Sequence, residues 1–420
     1  MIEIKNLRIE DTSDGWSRVA VDVDFEGIDD LYNGEGIWFS TPSKNKHMLS
    51  ESYDAFFLVP LYIAMSYKQD LYIRGKVSKR LYKNVMTYVQ TILCEYSDRL
   101  SKINVFVDGF SDTTNQIKSG GGVIGTSFSC GIDSLTTIYD CYVNEQDEDY
   151  KINALFLFDC GAHGVYQDPK SHEAYNQEYI YNKPAADELG LPVHQVKSNV
   201  HAFMGNIKDF QLDKLNGRGI FNSGSWGTFA MFSCVFALQN GINKYYQPNT
   251  YGYEEIKDWG KYSRNYDITK FSECYLVPLL QTESVELITY GCQYTRTQKT
   301  EHISDWHIMK KYLNFGCKKN GILCGHCSKC TRALCILDVM GKIEEFSTTF
   351  DLKAYRKKLF IKKCHLKYNA ITASTYTAGA LEIVEYYKTH KNNTMPSAFT
   401  AWIYMFFYRA RRKIARMLKM

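Results

Sequence analysis

The sequence predicts an α/β protein built on a parallel sheet, with an α+β domain ahead of it and a compact cysteine module behind. Three observations carry this reading. From Val123 onward, apolar strands alternate with helical stretches, the pattern of successive βαβ units. Before that point the apolar residues keep a period of two, as in half-buried sheet. Late in the chain, Cys317, Cys324, Cys327 and Cys330 crowd into one short stretch.

Taken in order, residues 2 to 9 and 18 to 25 read as strands, the second with Val19, Val21, Val23 and Phe25 on one face. Ser78 suits the N-cap of a helix whose apolar stripe is Leu81, Val85, Val89, Ile92 and Leu93. Alternation returns at Ile103, Val105 and Val107. The polar stretch Ser111 to Gly122 closes on three glycines and reads as a linker, so residues 1–115 are expected to form the N-terminal α+β domain. Val123 to Phe128 and Ala154 to Phe158 then read as the first two strands of a parallel-sheet domain spanning 116–315. One helix should stop at Gly190-Leu191-Pro192, and another should start near Ser223-Gly224-Ser225 and run to Gln239. The cysteine module is expected at 316–345 and a helical C-terminal region at 346–420.

Composition narrows the function classes. The chain has 420 residues, 45% hydrophobic and 23% charged, with 8 Pro and 28 Gly, which describes a folded protein of more than one domain. A net charge of +4, from 50 basic and 46 acidic residues, argues against a nucleic-acid partner, which would call for a much larger basic excess. The excess is local: Arg409, Arg411, Arg412, Lys413, Arg416 and Lys419 account for six charges, leaving 4 − 6 = −2 elsewhere. Trp402, Met405, Phe406, Ile414, Met417 and Leu418 fall near one face of the same helix. Such a basic tail suits an anionic membrane surface, an acidic partner, or simple packing on its own protein. The apolar stretch Ala55 to Met65 contains Pro60 and is too short to span a bilayer. Thirteen cysteines, with no basic-then-apolar leader at Met1-Ile2-Glu3-Ile4-Lys5, fit a reducing cytoplasm rather than a disulfide framework.

The most informative segment is Ser127-Phe128-Ser129-Cys130-Gly131-Ile132-Asp133-Ser134. A buried strand runs into a turn of small residues and a helix follows at once, an arrangement that exposes backbone NH groups to an anion. Ser129 and Ser134 add hydroxyls, and Gly131 lets a phosphate approach the backbone. The ordinary alternative is a strand-to-helix turn with incidental serines. The cysteines, spaced C-x6-C-x2-C-x2-C, offer four thiolates to a tetrahedral Zn²⁺ in a closed, structural site. Lys318, Lys319, Lys329 and Arg332 stand where they could offset the charge, Gly321 and Gly325 allow tight turns, and Cys335 and His326 are spare ligands. Iron–sulfur proteins also use a C-x2-C-x2-C run, but with the fourth cysteine downstream, before a proline.

Ser129-Cys130-Gly131-Ile132-Asp133-Ser134 resembles the Ser-Gly-Gly-x-Asp-Ser loop of the PP-loop ATP pyrophosphatase superfamily, with Cys130 in place of the first glycine. Together with the cysteines, and with Phe158-Asp159-Cys160-Gly161-Ala162-His163, it is most similar to the 7-cyano-7-deazaguanine synthase branch of queuosine precursor synthesis. The resemblance covers about residues 122 to 345. It departs from that branch in Cys130, in a shortened Asp159–His163 segment, in the spacing before Cys324 and in the extra N-terminal domain. It implies an AMP-forming, carbon–nitrogen bond-forming ligase using ATP and Mg²⁺, with a structural Zn²⁺. Ser129, Asp133, Ser134, Arg296 and Lys299 would be catalytic, the last two neutralising pyrophosphate, and Ser127, Phe128, Gly131, Asp159 and His163 would bind the nucleotide. For Arg296 and Lys299 the plain alternative is a solvated surface pair, and for His163 a polar loop residue. The acceptor would be a deazaguanine or other small molecule, a protein partner as in phage defence, or a polysaccharide precursor. A tRNA sulfurtransferase with Cys130 or another exposed cysteine carrying persulfide sulfur, a non-catalytic nucleotide-binding scaffold, and a homodimer all remain open.

Overall fold

A computed structural model of the chain describes residues 1–26, 36–96, 100–111, 122–164, 168–205, 224–253, 273–357, 359–372, 377–390 and 395–417. Contacts divide the chain into two compact units. The first is Met1–Phe128, Thr137–Asn249 and Asp267–Tyr290; the second is Ser129–Thr136, Thr250–Tyr266 and Gly291–Met420.

The first unit is α/β and is organised by one large, mostly parallel sheet. Its strands are β1 (Ile2–Asp11), β2 (Trp16–Phe25), β3 (Trp38–Pro42), β4 (Leu71–Val77), β5 (Val105–Phe110), β6 (Val123–Ser127), β7 (Ala154–Asp159), β8 (Val193–Ser198), β9 (Ile242–Pro248) and β10 (Glu286–Tyr290). They lie in the order β10-β9-β6-β7-β8-β3-β2-β1-β4-β5. Pairings from β10 to β8 are parallel, as are β1 with β4 and β4 with β5. The joins β8–β3, β3–β2 and β2–β1 are antiparallel. Strand β7 is buried along its whole length, which is why its sequence shows a continuous apolar run instead of alternation.

The division at 115/116 suggested by the glycines is not where the contacts part. Residues 112–121 lie outside the described residues, but β5 and β6, on either side of them, belong to one unit and one sheet. The two strand sets meet where β3 pairs with β8, Phe39 opposite Ser198 and Ser40 opposite Lys197. Side chains close the seam. Asn199 is wholly buried; its Oδ1 accepts from the Trp38 amide at 3.0 Å and its Nδ2 donates to the Gly36 carbonyl at 2.8 Å. Ser198 Oγ donates to the Trp38 carbonyl at 2.7 Å and Thr41 Oγ1 to the Gln195 carbonyl at 2.9 Å. Polar pairing across a long sequence distance leaves no trace in hydrophobic periodicity, so the sequence suggests two domains where there is one sheet.

Local elements follow their chemistry. Helix Leu58–Tyr67, with Pro60 in its first turn, is buried from Leu58 to Met65, so the apolar run is core. Tyr62 meets Phe229 of helix Gly224–Ala237 edge-on, ring centres 6.0 Å apart. That second helix stops two residues short of Gln239, and Ser223 lies outside the described residues. Ser78 caps helix Lys79–Asn84, its Oγ accepting from the Leu81 amide at 3.0 Å. A π-turn at Val85–Val89 follows, keeping Leu81, Val85, Val89 and Leu93 in the core. Helix Pro169–Leu189 ends on Gly190 at φ 71°.

The second unit is mainly helical. It holds helices Arg296–His302, Ser328–Val339, Leu359–Thr372, Thr377–Thr389 and Ala398–Met417, and a hairpin of β11 (Lys318–Lys319) and β12 (Ile322–Leu323). The apolar face expected of the last helix splits in two. Met405 is buried, whereas Trp402, Phe406 and Ile414 are exposed; the Met417 side chain and Leu418 lie outside the described residues. Among the described residues no helix is long and apolar enough to cross a membrane.

Candidate active site and metal centre

Strand β6 leads into the loop at 129–131 and helix Ile132–Ile138. Cys130, where the resembling loop has glycine, sits at φ 52° and is fully buried. This is the left-handed region, disfavoured by about 1–2 kcal/mol for a residue with a Cβ, and the loop holds it there through its neighbours. The Cys130 carbonyl accepts from the Asn314 amide at 2.9 Å, the Gly131 amide donates to Ser129 Oγ at 3.3 Å, and the Leu135 amide donates to the Gly131 carbonyl at 2.8 Å. A side chain on Gly131 would place its Cβ 3.3 Å from Ser129 Oγ. Ser134 is buried. Phe128 serves as an anchor in the first unit. Its ring is buried, its amide donates to the Phe156 carbonyl at 2.8 Å, and its carbonyl accepts from Asn182 Nδ2 at 3.2 Å. The Phe128 amide is therefore committed within the sheet. Ser127 pairs with the buried Tyr245 hydroxyl.

In the second unit, Asp133, Arg296 and Lys299 converge. Thr295 and Gln298 form a reciprocal capping box that starts helix Arg296–His302, so the two cations, three residues apart, leave the same face. Arg296 Nη2 pairs with Asp133 Oδ2, and Lys299 Nζ lies 3.2 Å from Asp133 Oδ1. The Lys299 side chain is 0% exposed, which removes the solvated-surface alternative. Burial by itself would raise the Asp133 carboxyl, but Arg296 and Lys299 outweigh it and hold it below the ordinary range. Arg332 joins this cluster. Burial, then the nearby Arg296, disfavour its charged form, while Tyr251, Asp133 and Glu382 favour it. Glu382 itself accepts from the Thr297 amide. Three cations thus face two carboxylates in a largely dry place, a net positive site behind the loop.

The cysteines expected to bind metal do come together. Sγ of Cys317 lies 3.4 Å from that of Cys330 and 3.8 Å from that of Cys327; Cys324 and Cys330 are 3.8 Å apart. All four sulfurs fall within 4.8 Å of one another. A tetrahedron with Zn–S bonds of about 2.3 Å has S–S edges of about 3.8 Å, so the cluster could hold a metal ion such as zinc. The chain is shaped for it. Asn320 at φ 50° and Gly321 at φ 81° make the two-residue turn between β11 and β12. Gly325, at φ 64°, has no room for a side chain, whose Cβ would lie 2.1 Å from the Asp351 carbonyl oxygen. Cys327 caps helix Ser328–Val339, its sulfur accepting from the Cys330 amide at 3.5 Å. Burial opposes ionisation of Cys324, but the His326 and Cys327 amides pull its thiol down to about 6. Burial and the neighbouring sulfurs push Cys330 up, so complete ionisation of the set calls for a bound cation.

Charge compensation around the cysteines meets the sequence expectation at Lys318, whose charged form burial opposes and Cys317 favours, and departs from it elsewhere. Arg332 belongs to the Asp133 cluster, and Lys329 and Lys319 are exposed. Lys362, which the spacing did not single out, donates to the Gly325 carbonyl at 2.9 Å and is electrostatically coupled to Cys324, Cys327 and Cys330. The lysine-rich run from Leu352 to Thr372, which has no acid, was the available signal. The spare ligands are used elsewhere. Cys335 is buried against the Tyr355 hydroxyl at 3.6 Å, and His326 Nδ1 meets the Cys324 carbonyl at 2.7 Å.

Asp159 and His163 belong to a separate cluster in the first unit. Asp159 ends β7, and burial holds its carboxyl above the ordinary range despite His163, His172 and Lys197. His163 Nε2 pairs with Glu178 Oε2, and its Nδ1 lies 3.9 Å from Asp159 Oδ1; His172 Nδ1 lies 3.6 Å from Asp159 Oδ2. Burial favours a neutral His163, but Glu178 and then Asp159 outweigh it and raise its basicity. His172, Tyr175 and Glu178 escaped sequence reasoning. They recur every three residues along helix Pro169–Leu189, a stripe visible in the sequence once the helix face is known. No protein-family model matches this sequence, and no curated protein or solved structure gives a significant match to it.

Proposed function

We propose that the chain is an ATP pyrophosphatase-type ligase. A substrate carboxylate oxygen would attack the α-phosphorus of ATP and expel pyrophosphate. Ammonia or an amine would then attack the adenylated carbon and release AMP. The observation that carries this reading is the set of three cations, Arg296, Lys299 and Arg332, gathered around Asp133 behind the small-residue loop. A departing pyrophosphate gains negative charge, and pre-placed cations in a partly dry site stabilise it without reorganising at the moment of reaction. Arg296 suits a forked contact to phosphate oxygens and Lys299 a point contact. The loop at Ser129, Gly131 and Ser134 would cradle the same group. Asp133, paired to two cations, does not offer a Mg²⁺ site by itself. The cysteine cluster fits Zn²⁺ in a structural role, holding the β11–β12 hairpin and the start of the helix that carries Arg332.

One observation bears on the alternatives. Burial of the Cys130 thiol counts against it as a carrier of persulfide sulfur and leaves that role, in the sulfurtransferase reading, to a more exposed cysteine. The buried, cation-paired Asp133 would equally suit a scaffold that binds nucleotide without turning it over. ATP–pyrophosphate exchange screened against deazaguanine acids, uronic acids and peptide carboxylates separates the two. Exchange that is present in the wild type and lost in Ser129→Ala/Lys299→Met supports the ligase. Equal inertness of both proteins with every acceptor, alongside retained ATP binding, would establish the scaffold.

A further inference from the structure

The last helix, Ala398–Met417, buries one apolar face and leaves a second open. Ala401 and Met405 are 0% and 3% exposed, and the helix packs against helix Leu359–Thr372. Tyr408 stands edge-on to His365 at 4.9 Å, and Arg409 Nη1 donates to the Tyr368 hydroxyl at 2.9 Å. On the other side Phe399 is 72% exposed, Trp402 55%, Phe406 59% and Phe407 65%. At about 100° per residue these four share one face. Trp402 stacks on Phe406 at 5.9 Å and Phe406 meets Phe407 at 5.6 Å, so the rings form a continuous patch, not scattered side chains. Beside it a groove of about 450 Å³ opens between the two helices, with Phe360, Ile403 and Phe407 in its walls and Arg411 among its lining residues.

We infer that this face docks on an anionic phospholipid surface. Large contiguous aromatic patches in water mark an interaction site. The charge around the patch selects the partner. No Asp or Glu occurs from Tyr386 to Met420, while Arg411 lines the groove beside the rings and four more cations, Arg412, Lys413, Arg416 and Lys419, follow it in the sequence. The helix beneath, Leu359–Thr372, also lacks acids. Tryptophan and phenylalanine beside arginine and lysine match the boundary between headgroups and acyl chains, where rings insert and cations meet phosphates. With its inner face already packed on the protein, the helix would lie flat on the surface as a peripheral contact. The inference is independent of the ligase reading, since it uses none of those residues.

Full-length protein is sedimented with vesicles of phosphatidylcholine alone and of phosphatidylcholine with phosphatidylserine, at about 0.1 M salt and above. Wild type is expected to pellet with the anionic vesicles only, and less as salt rises. Trp402→Gln/Phe406→Gln keeps helix propensity and touches only exposed rings. It should reduce binding about tenfold or more with an unchanged circular dichroism spectrum and melting curve. Arg411→Gln should weaken binding by roughly fivefold, since each basic residue near such a surface contributes about 1 kcal/mol. Failure to pellet at any salt, or equal pelleting with neutral vesicles, overturns the inference. It is also overturned if the double substitution abolishes a concentration-dependent dimer while leaving vesicle binding intact, since the face would then join two copies of the chain.

Discussion

Replacing Asp133 with asparagine tests the charge balance of the second unit. The change preserves shape and removes the carboxylate from Arg296 and from the fully buried Lys299. Breaking a buried ion pair by deleting one partner costs about 3–5 kcal/mol, because the surviving charge stays desolvated. Asp133 and Arg296 retain 19% and 25% exposure, so the lower end, about 3 kcal/mol, is expected. The deficit is measured from urea unfolding midpoints. An anion can repay it: a ligand that binds only the folded protein stabilises by about 2.7 kcal/mol at a hundredfold excess over its Kd. Inorganic pyrophosphate should therefore stabilise Asp133→Asn more than wild type, where the carboxylate competes for the same cations. The pH dependence has a fixed sign. Since Asp133 is held below its ordinary 3.8, its contribution is complete above that value and is lost as pH falls through the lower folded value. The gap between wild type and variant should close only in that acid range. If Asp133→Asn unfolds within about 0.5 kcal/mol of wild type, or pyrophosphate stabilises wild type more, the cations do not form an anion site.

Three further outcomes follow from the geometry. Cys130→Gly should be tolerated within about 1 kcal/mol, since glycine is at ease at φ 52°, whereas the β-branched Cys130→Val should lose about 2 kcal/mol or more in thermal unfolding. Purified protein should carry one zinc per chain by elemental analysis; Cys327→Ser should weaken it, and Gly325→Ala should do so as well, though it removes no ligand, because its Cβ would collide with the Asp351 carbonyl. Glu178→Gln should lower the His163 pKa in an NMR titration. With that value raised above 6.5, the ion pair's contribution is full below pH 6.5 and fades as pH climbs through the folded value, so the variant's stability deficit should vanish in alkali.

Much of the local architecture could be read from the sequence, because it rests on short-range chemistry. Ser78 as a cap, Gly190 as a helix stop and the continuous apolar run of β7 are decided within a few residues. The cysteine cluster was legible for the same reason, its ligands being nearly contiguous. The union of the strands into one sheet was not, since it depends on Asn199 reaching Trp38 across 161 positions. Arg332 was assigned to the wrong charges: sequence proximity placed it beside the cysteines, whereas its helix turns it toward Asp133. Trp402 and Met405 are three residues apart and share an apolar face on a helical wheel, yet tertiary packing buries one and leaves the other exposed.

The antiparallel join between β3 and β8 bears on how the molecule can be made and cut. The residues before Val123 are no detachable extension, since removing them would uncover the outer edge of β8, a row of unpaired amides and carbonyls open to any passing strand. During synthesis, β1 to β3 emerge long before β8 and must wait for it with their own edge exposed. A fragment beginning at Val123, the natural choice for isolating the loop-bearing half, should aggregate for a reason unrelated to its chemistry. The seam makes the N-terminal strands the built-in cover of the edge of β8.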